Sequence, residues 1–390
     1  MYNKEEIFAK IDSYQPEMWQ LIEECVNIDS SADAPEGVVK IAHRLGGLLE
    51  PLDFEVTYHE SAGPLQLIAK RPRPGKPRIM IFGHMDTVFP KGTAAARPFR
   101  IENGIAYGPG VMDMRSGFCM GLYTLKAMIE CGYDDADITY YLTGDEEVNH
   151  VLSDSVKVIA EVASDRQIAF NMEPAREGYF VSGRKGCWRP LIKVKGIAAH
   201  SGNDYTTGAS AILELARKVP ELFAITNLEE GTTSNGGTFH GGTLPNIMAE
   251  NAEVKMDIRF VKQAEVERAR REVEAIVAKR YDERCVTTME EIPSDMMPCF
   301  EETPQGLALC KFVQEQYEAL GYGKLEYQYV GGSSDAAYTT MAGVPTVCGM
   351  GPKAWGAHSA NEYAYVDSYI PRMHNLASCI MNIEAFLKTI

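Results

Sequence analysis

Four apolar runs along the chain break off into side chains suited to chemistry, and each run reads as a buried strand. Ile79-Met-Ile-Phe82 leads to His84 and Asp86, and Ile138-Thr-Tyr-Tyr-Leu142 leads to Glu146 and Glu147. Ile168-Ala-Phe-Asn-Met172 leads to Glu173, and Pro345-Thr-Val-Cys348 precedes the loop that carries His358. Short continuous apolar runs, rather than alternating ones, belong to strands covered on both faces. Helical periodicities lie at 37–49, before the first run, and at 116–131, between the first two, the latter closed by Gly132. Strands alternating with helices predict βαβ units and a mostly parallel sheet flanked by helices, an α/β fold.

The pattern changes near residue 183. Strands are expected at 187–194, 232–240, 247–260 and 286–289, with helices at 209–222 and 265–281, giving the order βαββαβ of the ferredoxin-like split unit. In the helix beginning at Ala264, Val266, Val273 and Ile276 or Val277 fall on one stripe and charges on the other face, as in a helix lying on a sheet. Helices at 306–320 and 371–388 then resume the first pattern. The expected organisation is a discontinuous catalytic domain, 1–183 with 295–390, into which 184–294 is inserted as a lid and dimerisation domain.

In an open parallel sheet, ligands bind outside the carboxyl ends of the strands, where residues distant in sequence meet. Taken singly, each candidate also has an ordinary reading: His84-Met-Asp86 as a surface pair, Asp113 as a helix-capping residue, Asp145-Glu-Glu147 as a solvated turn, His358 as a hydrogen-bonded loop residue. Their joint placement at strand ends favours a metal. Three consecutive acids after an apolar strand repel one another, and a dication supplies the compensation. Histidines and carboxylates without cysteine suit borderline divalent ions, zinc first, with manganese or cobalt as substitutes.

The length of 390 residues is more than one core usually serves. A net charge of −16 argues against nucleic acid and anionic membrane as partners, since both repel it. The nine cysteines are dispersed and never spaced Cys-x-x-Cys, as expected of reduced thiols in a cytoplasmic protein. Residues 1–12 carry Lys4, Glu5 and Glu6 and lack the apolar core of a signal peptide. No stretch is long and apolar enough to span a bilayer.

Five segments in order, Gly83-His-Met-Asp-Thr-Val88, Gly108-Pro-Gly-Val-Met-Asp-Met-Arg-Ser-Gly117, Thr143-Gly-Asp-Glu-Glu147, Asn171-Met-Glu-Pro174 and His358-Ser-Ala-Asn-Glu-Tyr363, resemble the M20 family of zinc metallopeptidases, which includes glutamate carboxypeptidases, aminoacylases and acetylornithine deacetylases. The resemblance covers nearly the whole chain and is nearest to the glutamate carboxypeptidase-like branch. It implies two zinc ions bridged by Asp113, one completed by His84 and Glu173 and the other by Glu147 and His358. It implies Glu146 as general base, Asp86 as the residue orienting His84, and a cis peptide between Asp113 and Met114.

In the inserted segment, the resemblance assigns His200, in Gly196-Ile-Ala-Ala-His-Ser-Gly202, to oxyanion stabilisation in the partner subunit of a homodimer. It assigns Asn246 and Arg259 to substrate binding. A planar guanidinium suits a carboxylate because it binds bidentately. The chain departs from the glutamate carboxypeptidases at Met296-Met-Pro298, where they often carry Arg before the Pro. Glu173 stands where carboxypeptidases and deacylases tend to have Glu and aminopeptidases Asp. The implied activity is amide hydrolysis releasing a C-terminal amino acid from a small peptide or N-acyl amino acid. The alternatives are a deacylase of the acetylornithine or succinyl-diaminopimelate type and a non-catalytic metal-dependent binding protein of the same fold.

Overall fold

The main sheet has six strands in the order Glu55–His59, Gln66–Arg71, Asp137–Thr143, Arg78–His84, Ile168–Asn171 and Thr346–Val347. The last four pair in parallel, and Gln66–Arg71 pairs antiparallel with both neighbours. This computed structural model describes residues 2–60, 63–175 and 179–390. Ile79, Met80, Ile81 and Phe82 are buried, as are Ile138, Tyr140, Tyr141 and Leu142. The apolar runs therefore lie in a sheet covered on both faces, as their lack of alternation requires.

The helix Ser116–Glu130 follows the Asp113 segment and is almost wholly buried. The helices Gln15–Val26 and Tyr369–Met381 pack on it. A Cβ at Gly117 would lie 1.8 Å from the Met172 carbonyl oxygen, so only glycine allows the helix start to approach the strand end that leads to Glu173. Two helices, Lys4–Ser13 and Gln15–Val26, precede the first of the expected ones. The helix expected at 371–388 is broken at Asn382 into Tyr369–Met381 and Ile383–Leu387.

The chain forms two compact units. The first comprises Met1–Gly183, Glu302–Val330 and Ser334–Ile390, and the second Arg184–Glu301 and Gly331–Ser333. Residues 295–301 stay with the second unit because Met296 and Met297 pair with Trp188 and Cys187. Its main antiparallel order is Val286–Glu290, Leu191–Lys195, Asn251–Phe260 and Thr233–Gly241. The helices Ala211–Ala224 and Gln263–Ala278 complete a βαββαβ sequence of elements. The single strand expected at 187–194 is two, Gly186–Trp188 and Leu191–Lys195, separated at Arg189-Pro190, where proline has no N–H for a ladder.

The core of the second unit is built from Ile192, Val194, Leu215, Leu222, Val254, Met256, Ile258, Val266, Val273 and Ile276. Each such side chain contributes about 1.5–3 kcal/mol on burial. All nine cysteines are free thiols, eight of them buried. Among the described residues no helix is long and apolar enough to cross a membrane.

Candidate metal centre

Strand register brings the site together. His84 pairs with Thr143, and Phe82 with Asn171, so three parallel strands end nearly level. The pairing runs on briefly, with the Met85 N–H donating to the Thr143 carbonyl at 2.8 Å and the Met172 N–H to the Phe82 carbonyl at 2.9 Å. Past these ends, His84 Nε2 lies 3.1 Å from Asp113 Oδ1 and 3.6 Å from Glu173 Oε1. The loop after Thr346–Val347 is tied to the same edge by the Gly351 N–H, which donates to the Glu173 carbonyl at 2.9 Å.

That loop delivers His358, whose φ of +61° lies in the left-handed region that non-glycine residues seldom adopt. Its Nε2 is 3.4 Å from Asp113 Oδ2 and 3.2 Å from Glu147 Oε2. Asp113 thus belongs to two donor groups, His84–Asp113–Glu173 and Asp113–Glu147–His358, and within each group the ligand atoms lie within 4.8 Å of one another. The His84 side chain is 1% exposed and that of His358 56%, so the second group is the one open to solvent. The Asp113–Met114 peptide is cis.

Two carboxylates outside these groups hold their backbones. Asp86 accepts the Glu146 N–H at 3.1 Å and the Glu147 N–H at 2.9 Å. Its main-chain oxygen lies 3.2 Å from His84 Nδ1, and its Oδ1 3.3 Å. Asp86 therefore fixes the glutamate turn as well as the imidazole. Buried Glu362 accepts the N–H groups of Gly110, Met112 and Asp113 at 3.1, 2.7 and 3.0 Å, fastening the segment that presents Asp113. Its only sequence signal is its place in the His358-to-Tyr363 motif. Gly110 has φ +75°, and a Cβ there would meet Arg115 and Thr87 at 2.7 Å.

The donor set fits divalent cations. With Nδ1–H of His84 donated to Asp86, Nε2 presents a lone pair toward carboxylate oxygens, an arrangement that repels unless a proton or a cation lies between them. Burial alone would lower the pKa of His84, but hydrogen bonds to Asp113 and Asp86 raise it well above the usual value. Contacts with Asp113 and Glu147 push His358 up to about 11. Burial and the Asp113 charge push Glu147 up to about 7, and its Oε1 is buried without a hydrogen-bond partner. Burial, followed by Asp335, Glu147 and Glu173, raises Glu146 well above the carboxylate range against the pull of His84. Positive charge placed among these oxygens relieves all of these conflicts at once.

The residues expected to bind substrate lie in the second unit. His200 is exposed, and its Nδ1 accepts the N–H groups of Gly202 at 3.2 Å and Asn203 at 3.1 Å. With Nδ1 so occupied as an acceptor, Nε2 is the ring nitrogen left to donate. Asn246 lies beside it, its carbonyl accepting the Ser201 N–H at 3.0 Å. Arg259, on Asn251–Phe260, is half-buried and donates to Asp257 at 2.7 and 3.2 Å, an acid that Arg189 also reaches at 2.8 Å.

Residues 80–382 match the family model described as Peptidase family M20/M25/M40. The chain is 29% identical over 387 residues to carboxypeptidase G2 of Pseudomonas sp. (strain RS-16), covering 97% of this chain and 92% of that one. It is 25% identical over 339 residues to acetylornithine deacetylase of Aliivibrio salmonicida, covering 80% and 86%. A tripeptidase from Staphylococcus aureus shares the fold, with a TM-score of 0.76 and 21% identity over the full length of both chains. With the sheet, the strand-end donors and a family match over most of its length, the chain belongs to Peptidase family M20/M25/M40 and is a metal-dependent hydrolase.

Proposed function

We propose that the chain hydrolyses an amide on the amino side of a residue bearing a free carboxylate, releasing a C-terminal amino acid from a small peptide or N-acyl amino acid. The observation that carries this reading is the pair of donor groups sharing Asp113. His84 and Glu173 would complete one zinc site, and Glu147 and His358 the other, with manganese or cobalt as substitutes. The cations, when bound, polarise the scissile carbonyl and acidify water.

Glu146 takes the proton from the attacking water and returns it to the departing nitrogen. Its place in the turn beside Glu147, held by Asp86, supports that role. His200, with Nδ1 accepting and Nε2 left to donate, gives a hydrogen bond to the tetrahedral oxyanion of substrate bound to a second copy of the chain, so the reading includes a homodimer. Asn246 and Arg259 grip the substrate, the guanidinium through its carboxylate. The free, mostly buried thiols favour a reducing, cytoplasmic setting.

A deacylase reading is favoured by the similarity to an acetylornithine deacetylase and uses the same residues. A panel of N-acyl amino acids and dipeptides, assayed with added zinc, separates the two by which side of the amide tolerates change. Glu146→Gln should lower kcat by about 10²–10⁴-fold with metal content unchanged. Equal turnover in parent and variant would remove Glu146 from the mechanism.

A further inference from the structure

Behind the glutamate turn lies a buried Asp–His–Asp network that the catalytic assignment leaves unused. His150 Nδ1 is 3.1 Å from Asp145 Oδ1, and its Nε2 is 2.6 Å from Asp335 Oδ1. The His150 and Asp145 side chains are wholly inaccessible and that of Asp335 nearly so. Asp145 also receives the hydroxyls of Ser153 at 3.0 Å and Ser155 at 2.7 Å. Asp335 receives the Thr143 hydroxyl at 3.3 Å, at the end of the central strand that leads into the turn.

A ring with a carboxylate oxygen at each nitrogen donates at both and carries a positive charge. Burial works against that charge, and the two aspartates outweigh it. A group this costly to bury is stable only when paired on both sides. The backbone points the same way. Asn149 and His150 both take left-handed φ values, +55° and +56°, and their N–H groups close the turn onto the Glu146 and Asp145 carbonyls at 2.8 and 2.9 Å. Two successive non-glycine residues in that region persist only where their surroundings over-determine them.

We propose that His150 is a positioning residue for turnover: by locking Asp145 to Asp335, it sets the placement of Glu146 and Glu147. Asp86 holds the amides of that turn from one side, and His150 holds its preceding side chain from the other. The inference rests on the reading of Glu146 as base. Displacing such a group by about 1 Å costs on the order of 10²-fold in rate, while substrate affinity, set elsewhere, is untouched.

His150→Gln can reach one aspartate but cannot donate to both. With the fastest-cleaved member of the substrate panel and saturating zinc, its kcat should fall about 10–100-fold with KM within about threefold. Asp335→Asn should show the same split, and the double variant should be no slower than the slower single one, since both cut one link. A kcat within twofold of the parent, or a loss carried by KM, overturns the proposal. Should His150→Gln not fold, Asp335→Asn, which removes the charge that pairs with His150 and leaves the link to Asp145 in place, applies the same criterion. Glu146→Gln assayed alongside separates the failures: if it retains turnover, the base assignment has failed, and if it is inactive while His150→Gln keeps a kcat within twofold of the parent, only this inference has.

Discussion

His84 and His200 are both given work in the proposed reaction, yet the two units hold them by opposite means. His84 is buried at a strand end and surrounded by Asp86, Asp113 and Glu173 of its own unit. His200 is exposed and bound through Nδ1 by two backbone N–H groups, its other nitrogen left for a partner outside. The first unit gathers a charged interior that calls for cations, and in the proposed reaction the second supplies donors for substrate. Loss of a donor shared by the groups of the first unit should therefore show in metal content, and loss of His200 or Arg259 in turnover alone.

The hardest test of that contrast is Asp113→Ala, which removes the oxygen donors common to both groups. Turnover should drop below detection and bound zinc, read by elemental analysis, should fall at both positions; retention of two equivalents would end the idea of a shared aspartate. Next in size is His200→Ala, expected to lose about 10²–10³-fold in kcat with zinc content at the parental level. Subunit exchange with Glu146→Gln protein should restore activity, and verified heterodimers that stay inactive would place His200 outside the partner's reaction. A smaller effect is expected for Arg259→Lys, which gives up bidentate geometry for a point charge. KM should rise about tenfold, equivalent to about 1.4 kcal/mol, and a change confined to kcat would count against carboxylate recognition. The smallest effect on turnover belongs to Leu215→Ala in the second core. It should cost about 2–5 kcal/mol of that unit's stability, seen as a lower unfolding midpoint, while zinc content holds steady.

Much of the edge that gathers the donor groups was readable because a buried parallel strand leaves a long apolar run and its register aligns strand ends, so 84, 173 and the 146–147 pair stood out by position. His358 stood out only as a loop residue after a strand, and the place of Asp113 in both donor groups came through resemblance, since loop residues carry no period. Glu362, Asp335 and His150 were missed as supports for a related reason: each acts through hydrogen bonds to residues 185 to 252 positions away, or within a turn whose left-handed φ values no side-chain pattern encodes. In the second unit the order of elements was legible, but Pro190 divided a strand that its apolar neighbours made look continuous.

The interruption of the first unit by residues 184–301 has a consequence for the nascent chain. Thr346–Val347 and His358 leave the ribosome only after the whole intervening unit has been made, a delay on the order of ten seconds at ~5–20 residues per second. Until then the emerging segment exposes one flank of Ile168–Asn171 with no strand to pair it. A growing polypeptide in this condition is vulnerable to misassociation during translation, and prompt collapse of the intervening unit about its own core keeps that second stretch from adding to the risk.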